Sequence, residues 1–341
     1  MSGLKVHVDT SVPMTVLDHL LDGASIPPHF EENLGLRLLV EGNQGYDTSL
    51  TPQTFLDALD RYQDHTGISP NFTLPQFPSD LKKVRRFLSS FGTDQPQFLD
   101  QIKDIVTQHI PSIDFDFEST IFVVIGGRTD AFVEFIDDNM GMVLELNAAL
   151  SQSNQDVGPT TWMIAAASHE LWHAVFHRFL ESHWKVTDPY SVSDPAYKLL
   201  FTTLDEGYAH YIGLLVFFGD NDRLIDRLLS EAINDEGSEF FQSFQRKIPE
   251  FLSAGPSDKQ RLIHESHIGN MWKKWGAMTG ALVVSILTQE IGTARVLESL
   301  RENPFSLWIL FDTATDSGQV ALGKDFIDLV RDTKAKVEEN I

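Results

Sequence analysis

One short segment combines residue types that bind metals with a residue type that moves protons: His169-Glu170-Leu171-Trp172-His173. On an α-helix, residues four apart lie on the same face, so both histidines could direct a ring nitrogen at one metal ion. Glu170 flanks that face, where it could take a proton from a water at the metal. The alternative is a buried helix with two hydrogen-bonded histidines. Burying this set without a role is energetically unfavourable, which favours the metal site.

The segment lies in a predicted buried helix, because residues 163–180 contain no Gly or Pro and are apolar on nearly every side. A catalytic zinc usually takes three protein ligands and one water, so a third ligand is needed. His177 lies eight residues after His169, a rise of about 12 Å along a helix. Zinc–nitrogen bonds are only about 2.0–2.1 Å long, so we exclude His177 as the third ligand.

Glu206 is the other nearby candidate for the third ligand. Residues 185–195 contain Pro and Ser and indicate a loop, and a second helix is predicted from about Ala196 to Phe218. A helix, a loop and a returning helix could place Glu206 opposite the two histidines. The alternative is a carboxylate on the helix surface.

The pattern His169-Glu170-x-x-His173 followed by Glu206-Gly207-x-Ala209-x-Tyr211 resembles the gluzincin zinc metallopeptidases. It looks most like a bacterial group known only as uncharacterised zinc-dependent peptidases, and the resemblance covers roughly residues 122–218. It implies one Zn²⁺ per chain, bound by His169, His173 and Glu206. It also implies hydrolysis of peptide bonds with Glu170 as general base. Residues 174–205 make the spacing longer than in thermolysin-like enzymes and aminopeptidases, so specificity stays open.

The developing oxyanion in such a reaction needs a hydrogen-bond donor beside the metal. In related enzymes a His or Tyr from a downstream helix supplies it, and Tyr208 and His210 are of the right residue type. We predict the catalytic set from three further candidates: His264, His267 and Tyr211. Surface histidines on an amphipathic helix are the equal alternative for the first two. Asp205, beside the proposed ligand, or His210, one turn beyond it, could orient the ligands.

Composition excludes several classes of partner and site. The 341 residues carry a net charge of −23, from 49 acidic against 26 basic residues. This balance argues against nucleic acid or an anionic membrane surface as partner. There is no cysteine, so disulfides and thiolate metal sites are excluded. A peptide or protein is the expected substrate partner, and the oligomeric state is not indicated.

The sequence shows no apolar signal segment at residues 1–12 and no run of roughly 18 apolar residues. We therefore expect no membrane span. The predicted location is cytoplasmic, or extracytoplasmic if a leader was removed, and a bacterial origin is suspected.

The expected fold is α+β and predominantly helical, with a gluzincin-like core and a small mixed sheet beside the zinc helix. We predict a helical N-terminal region (1–115), a zinc-binding core (116–252) and a C-terminal helical region (253–341) that completes the cleft. Residues 120–125 and 141–147 are predicted strands, and residues 131–136 a strand or short helix. By resemblance, Met142–Asn147 would present a free edge to the substrate backbone. In an aminopeptidase, Glu145 or Asn147 could anchor the substrate's amino terminus.

Two other functions remain open from the sequence: a catalytically silent metal-binding or scaffold protein, and a zinc hydrolase acting on other amides or esters. Glu170 separates the first from a peptidase, because a pure binding site needs no base beside its ligands. The sequence does not distinguish endopeptidase from exopeptidase activity.

Overall fold

The computed structural model describes residues 3–45, 47–63, 72–75, 78–111, 114–136, 139–152, 157–186, 188–233, 240–314 and 320–339. Within these ranges the chain forms fourteen α-helices and one four-stranded mixed sheet. The predicted predominantly helical α+β class is confirmed. Among the described helices, none alone is long and apolar enough to cross a membrane. One pair bent by 119°, Trp275–Ile291 with Thr293–Glu302, meets that criterion only when joined.

The chain divides into two compact units. The first comprises Met1–Asp104 and Asp116–Leu171, and the second Ile105–Phe115 and Trp172–Ile341. The predicted three-region division stays a prediction. The elements that begin in the first unit are β1 (Leu4–Asp9), α1 (Ser11–Asp22), α2 (Leu34–Asn43), α3 (Pro52–Gln63), α4 (Pro78–Thr107), β2 (Phe117–Val124), β3 (Ala131–Ile136), β4 (Asn139–Glu145), α5 (Leu146–Gln152) and α6 (Pro159–Trp184).

The sheet has the order β1-β2-β4-β3. Strands β1, β2 and β4 run parallel, and β3 pairs with β4 in the antiparallel direction. The free edge predicted for Met142–Asn147 is therefore wrong, because β4 is hydrogen-bonded to β2 on one side and β3 on the other. The extended segment also ends sooner than predicted, since α5 begins at Leu146 and includes Asn147. Strand order depends on tertiary packing, which an apolar run in the sequence does not reveal.

The second unit is helical. After the end of α6 it contains α7 (Pro195–Phe218), α8 (Asn221–Ile233), α9 (Phe240–Ser253), α10 (Pro256–His267), α11 (Trp275–Ile291), α12 (Thr293–Glu302), α13 (Ser306–Ala314) and α14 (Lys324–Glu339). Helix α7 begins sharply because the Asp194 side chain accepts a hydrogen bond from the Ala196 amide at 2.8 Å. It ends at Gly219, whose φ of 80° few other residues tolerate.

Helices α7 and α11 approach closely where both carry glycine. A Cβ atom added at Gly207 would lie 2.5 Å from the Cα atom of Gly280, so only glycine fits. Gly207 directly follows the predicted ligand Glu206, so this contact fixes the part of α7 that carries it.

Two helices predicted over residues 81–91 and 97–110 form one helix, α4. The intervening Pro96 lies inside it. Proline removes one backbone hydrogen bond of the ladder, and here the flanking turns continue the helix through it.

Candidate metal centre

Helix α6 carries the first two predicted ligands and the predicted base. The helix predicted over residues 163–180 is observed as Pro159–Trp184. His169 and His173 lie one turn apart on it, so they share a face. His173 is only 9 % exposed. His169 and Glu170 are half-buried.

Trp172 fixes this part of α6 against α7. Its indole stacks on the ring of Tyr208 with centroids 4.8 Å apart and planes nearly parallel, and on the ring of Phe176 at 4.5 Å. Burial of these large side chains is the main force holding the two helices together. Within the predicted connection over residues 185–195, of which 187 lies outside the described residues, the structure has a short 3₁₀ helix, Pro189–Ser191.

Glu206 lies on α7 beside His173. One carboxylate oxygen, Oε1, is 4.0 Å from Nε2 of His173. Two zinc bonds of about 2.0–2.2 Å together span at most about 4.4 Å, so these two atoms are close enough to bind one ion. The helix, loop and returning helix therefore bring the predicted second and third ligands together. The donor set of imidazole and carboxylate is also the one that zinc uses in catalytic sites.

Asp205 fixes the orientation of the His173 ring. Its carboxylate is fully buried, and Oδ1 accepts a hydrogen bond from Nδ1 of His173 at 2.9 Å. Because Nδ1 carries the proton, the lone pair is on Nε2, the nitrogen near Glu206. A carboxylate that holds the far nitrogen of a histidine in this way is typical of metal-binding histidines.

The other carboxylate oxygen of Asp205, Oδ2, accepts two hydrogen bonds. Oδ2 accepts hydrogen bonds from Nε2 of His177 at 2.8 Å and from the Tyr190 hydroxyl at 2.5 Å. His177, excluded as a ligand by its spacing, thus supports the carboxylate instead. His177 lies four residues after His173, a spacing that places both on one face of the helix. Nothing in the sequence indicated that Tyr190 would bind the same carboxylate.

Asp205 is ionised in this arrangement. Burial alone would raise the pKa of its carboxyl group, but the facing imidazoles of His173 and His177 outweigh burial and hold that pKa well below its usual range. His173, His177 and Asp205 also form a group of potential ligand atoms within 4.8 Å of one another. We interpret Asp205 as an orienting group, because its oxygens already bind imidazole and phenol donors.

His210, one turn after Glu206, is held as a neutral acceptor. Its Nδ1 donates to the backbone carbonyl of Glu206 at 2.8 Å, which leaves the lone pair on Nε2. Burial and the nearby charge of Lys274 lower the pKa of His210 to about 3. Lys274, which was not predicted from the sequence, lies with Nζ 3.3 Å from that Nε2. Nε2 of His210 therefore cannot donate to an oxyanion.

The three predicted oxyanion donors have different surroundings. His267 is half-buried at the end of α10, and its Nδ1 donates to the Ile263 carbonyl at 2.8 Å. Burial lowers the pKa of His267, while the charge of Glu206 opposes that shift, so the two groups interact electrostatically. His264 is exposed, with its ring 6.1 Å from that of His267. The charge of the proposed ligand Glu206 thus acts on His267.

Tyr211, the remaining candidate, lies in an aromatic cluster in the protein interior. It is 1 % exposed, and its ring packs edge-on against the rings of His109 at 5.5 Å and Tyr208 at 5.8 Å. Burial raises the pKa of its hydroxyl group. This environment favours a packing role for Tyr211.

The first unit contains the two predicted anchors for a substrate amino group. Glu145 is 3 % exposed and accepts hydrogen bonds from the backbone amides of Gly126, Gly127 and Asn147, at 3.1, 2.8 and 3.1 Å. Burial raises its pKa to about 8, against the opposing effect of the three amides. The Asn147 side chain donates to the Thr73 carbonyl. Glu145 is therefore buried and hydrogen-bonded to backbone amides, an environment that favours a structural role; the anchor role suggested for Glu145 or Asn147 stays a prediction.

Comparison with known proteins adds one finding to this geometry. A family model described as "Putative zinc dependent peptidase (DUF5700)" matches residues 38–318, which include α6, α7, α10 and α11. No curated protein and no solved structure matches the chain.

Proposed function

We propose that this chain, which belongs to the DUF5700 family, hydrolyses peptide bonds at one zinc ion held by His169, His173 and Glu206, with Glu170 as general base. The observation that carries the proposal is the buried contact between Asp205 and Nδ1 of His173, which leaves Nε2 as the ligand atom beside Glu206. The family description supports the same metal and the same class of reaction.

The surroundings of Asp205 favour a metal centre over a purely structural role for this carboxylate. A buried carboxylate with three hydrogen-bond donors could serve packing alone. Here, however, one donor is a histidine from the His-Glu-x-x-His segment, and that histidine's other nitrogen lies near a second carboxylate. Metal ligands commonly have such outer partners, which fix the tautomer and make the imidazole more basic.

When bound, zinc would lower the pKa of a water ligand to about 7 and polarise the substrate carbonyl. Glu170 directly follows His169 on α6 and is half-buried. It would accept a proton as the water oxygen attacks the peptide carbonyl carbon, and would then pass that proton to the leaving amine nitrogen.

A donor to the carbonyl oxygen would complete the site. Of the three candidates from the sequence, His267 is the one whose pKa is influenced by the charge of Glu206, and its role as donor stays a prediction. Its Nδ1 donates to the Ile263 carbonyl, so Nε2 carries the lone pair, and it would donate to the carbonyl oxygen only if the ring were protonated, a form that burial disfavours.

The proposal is tested by replacing Glu170 with Gln and measuring both zinc content and turnover on a peptide library. The change keeps the three ligands, so zinc content should be unchanged. Turnover should fall by about 10²–10⁴-fold, which is typical of losing a general base.

Three results would contradict it. Full activity in Glu170→Gln would show that Glu170 is not the general base. A wild-type protein that binds zinc but cleaves neither peptides nor esters would favour a silent metal site. Cleavage of esters or small amides alone would favour a zinc hydrolase of another class.

A further inference from the structure

Lys274 places a positive charge beside the candidate metal centre. It directly precedes α11 and is half-buried. Among the described residues, no Asp or Glu lies within ion-pair distance of its ammonium group, and the hydrogen bond it makes is to Nε2 of His210. This is unexpected in a chain with 49 acidic and 26 basic residues.

A comparison with Lys247 shows what a structural lysine does in the same unit. Lys247 is similarly shielded, with its side chain 18 % exposed, and its Nζ pairs with Glu265 at 2.5 Å. Shielding a charge without an opposite charge is unfavourable, so partly buried lysines usually have such partners. Lys274 instead has a histidine, which does not neutralise it.

His210 holds the ammonium group close to the proposed ligand Glu206. The His210 ring is fixed by its Nδ1 hydrogen bond to the Glu206 backbone carbonyl at 2.8 Å, and Nδ1 is 3.6 Å from Oε2 of the Glu206 side chain. Nε2 then accepts from Lys274 at 3.3 Å. One imidazole ring therefore separates the ammonium group from a residue proposed to bind zinc.

We propose that Lys274 binds a carboxylate of the peptide substrate next to the scissile bond, and so acts as a specificity-determining residue. The carboxylate would come from the substrate's C-terminus or from an acidic side chain. This inference rests on the proposed peptidase function. A permanent anion fits better than the transient oxyanion, because the His210 ring lies between Lys274 and Glu206 and keeps the ammonium group off the metal ligand.

The test uses Lys274→Met with Lys273→Met as the matched control, since Lys273 is the exposed neighbouring lysine. The probes are an N-acetylated dipeptide with a free carboxylate and the same dipeptide with a C-terminal amide, titrated into the zinc-loaded full chain by calorimetry. In the wild type the acid should bind more tightly than the amide. Lys274→Met should weaken binding of the acid by about 10- to 100-fold, the range for a charge-assisted hydrogen bond, and leave the amide unchanged.

Lys273→Met should leave both probes unchanged, and Lys274→Arg should retain most of the preference for the acid. A second pair of probes, amidated peptides with and without a Glu side chain, distinguishes the two sources of the carboxylate. The proposal is overturned if the wild type binds acid and amide equally, or if Lys274→Met weakens both to the same extent. It is also overturned if Lys274→Met lowers kcat equally on all peptides, which would indicate action on the oxyanion.

Failure of this proposal can be told apart from failure of the proposed function. If zinc binding and Glu170-dependent cleavage hold but the acid and amide bind alike, only the role of Lys274 is wrong. If the acid binds in a Lys274-dependent manner but no peptide is cleaved, the anion site stands and the peptidase proposal fails.

Discussion

Among the described residues, each unit of the molecule contains one fully buried carboxylate, and the two are held in opposite ways. Glu145 in the first unit is surrounded by three backbone amides, and burial raises its pKa to about 8. Asp205 in the second unit is surrounded by two imidazoles and a phenol, and its pKa lies well below the usual range. Similar burial thus gives opposite ionisation because the donors differ in the charge they can carry.

The difference separates a structural carboxylate from one that serves a functional side chain. The donors to Glu145 are backbone groups of the Gly126–Gly127 turn and the start of α5, so this carboxylate ties two local segments together. The donors to Asp205 are side chains, and one of them, His173, has a second nitrogen directed towards Glu206. Burial alone does not identify a functional acid, whereas the partners of the acid do.

The largest expected effect comes from the titration of Glu145. Its folded pKa is about 8, raised from 4.5, so between these values the folded state keeps a proton that the unfolded state has lost. Stability from this group is present below pH 4.5 and is lost as the pH rises through about 8, by up to about 5 kcal/mol for a shift of this size.

The measurement is the free energy of unfolding by urea across this pH range, compared between wild type and Glu145→Gln. The difference between the two proteins should change steadily from pH 4.5 to 8, because Gln does not titrate. A difference that is independent of pH would mean that Glu145 is ionised in the folded state, and the contrast with Asp205 would disappear.

A smaller effect is expected when Asp205 is replaced by Asn. The variant keeps the size of the side chain but cannot hold both His173 and His177 as an anion, so zinc affinity should fall by about 10- to 100-fold. Competition with a chromophoric chelator measures it. Glu145→Gln is the matched control, because it alters the other buried carboxylate and should leave zinc affinity unchanged. Equal zinc affinity in Asp205→Asn and wild type would show that Asp205 does not support a metal ligand.

The sequence predicted the elements of the site better than their surroundings. The absence of Gly and Pro around His169 and the Pro and Ser residues of the connecting loop predicted α6 and α7, which lie as expected. Glu206 could be placed because a helix, a loop and a returning helix leave few arrangements. His-Glu-x-x-His could be interpreted as a metal motif because its residues are neighbours on one helix, so their spacing in the sequence fixes their spacing in space.

What the sequence did not predict depends on contacts between distant residues. Lys274 gave no signal because its partner His210 is 64 positions away in the chain. The interior position of β4 was missed because its apolar run fits an edge or a central strand equally well. Glu145 was a candidate for binding because an aminopeptidase needs an acidic or carbonyl anchor and this strand was expected to lie along the cleft, but the amides of Gly126 and Gly127 bind its carboxylate.

The central claim, a zinc centre formed by His169, His173 and Glu206, is tested most directly by the zinc content of the purified chain after dialysis. Elemental analysis should find close to one zinc per chain in the wild type and in Glu145→Gln, and little in Glu206→Ala, because removal of an anionic ligand weakens the site. Wild type that holds no zinc and takes up none on titration at neutral pH would contradict the claim. Zinc bound by Glu206→Ala as tightly as by the wild type would also contradict it.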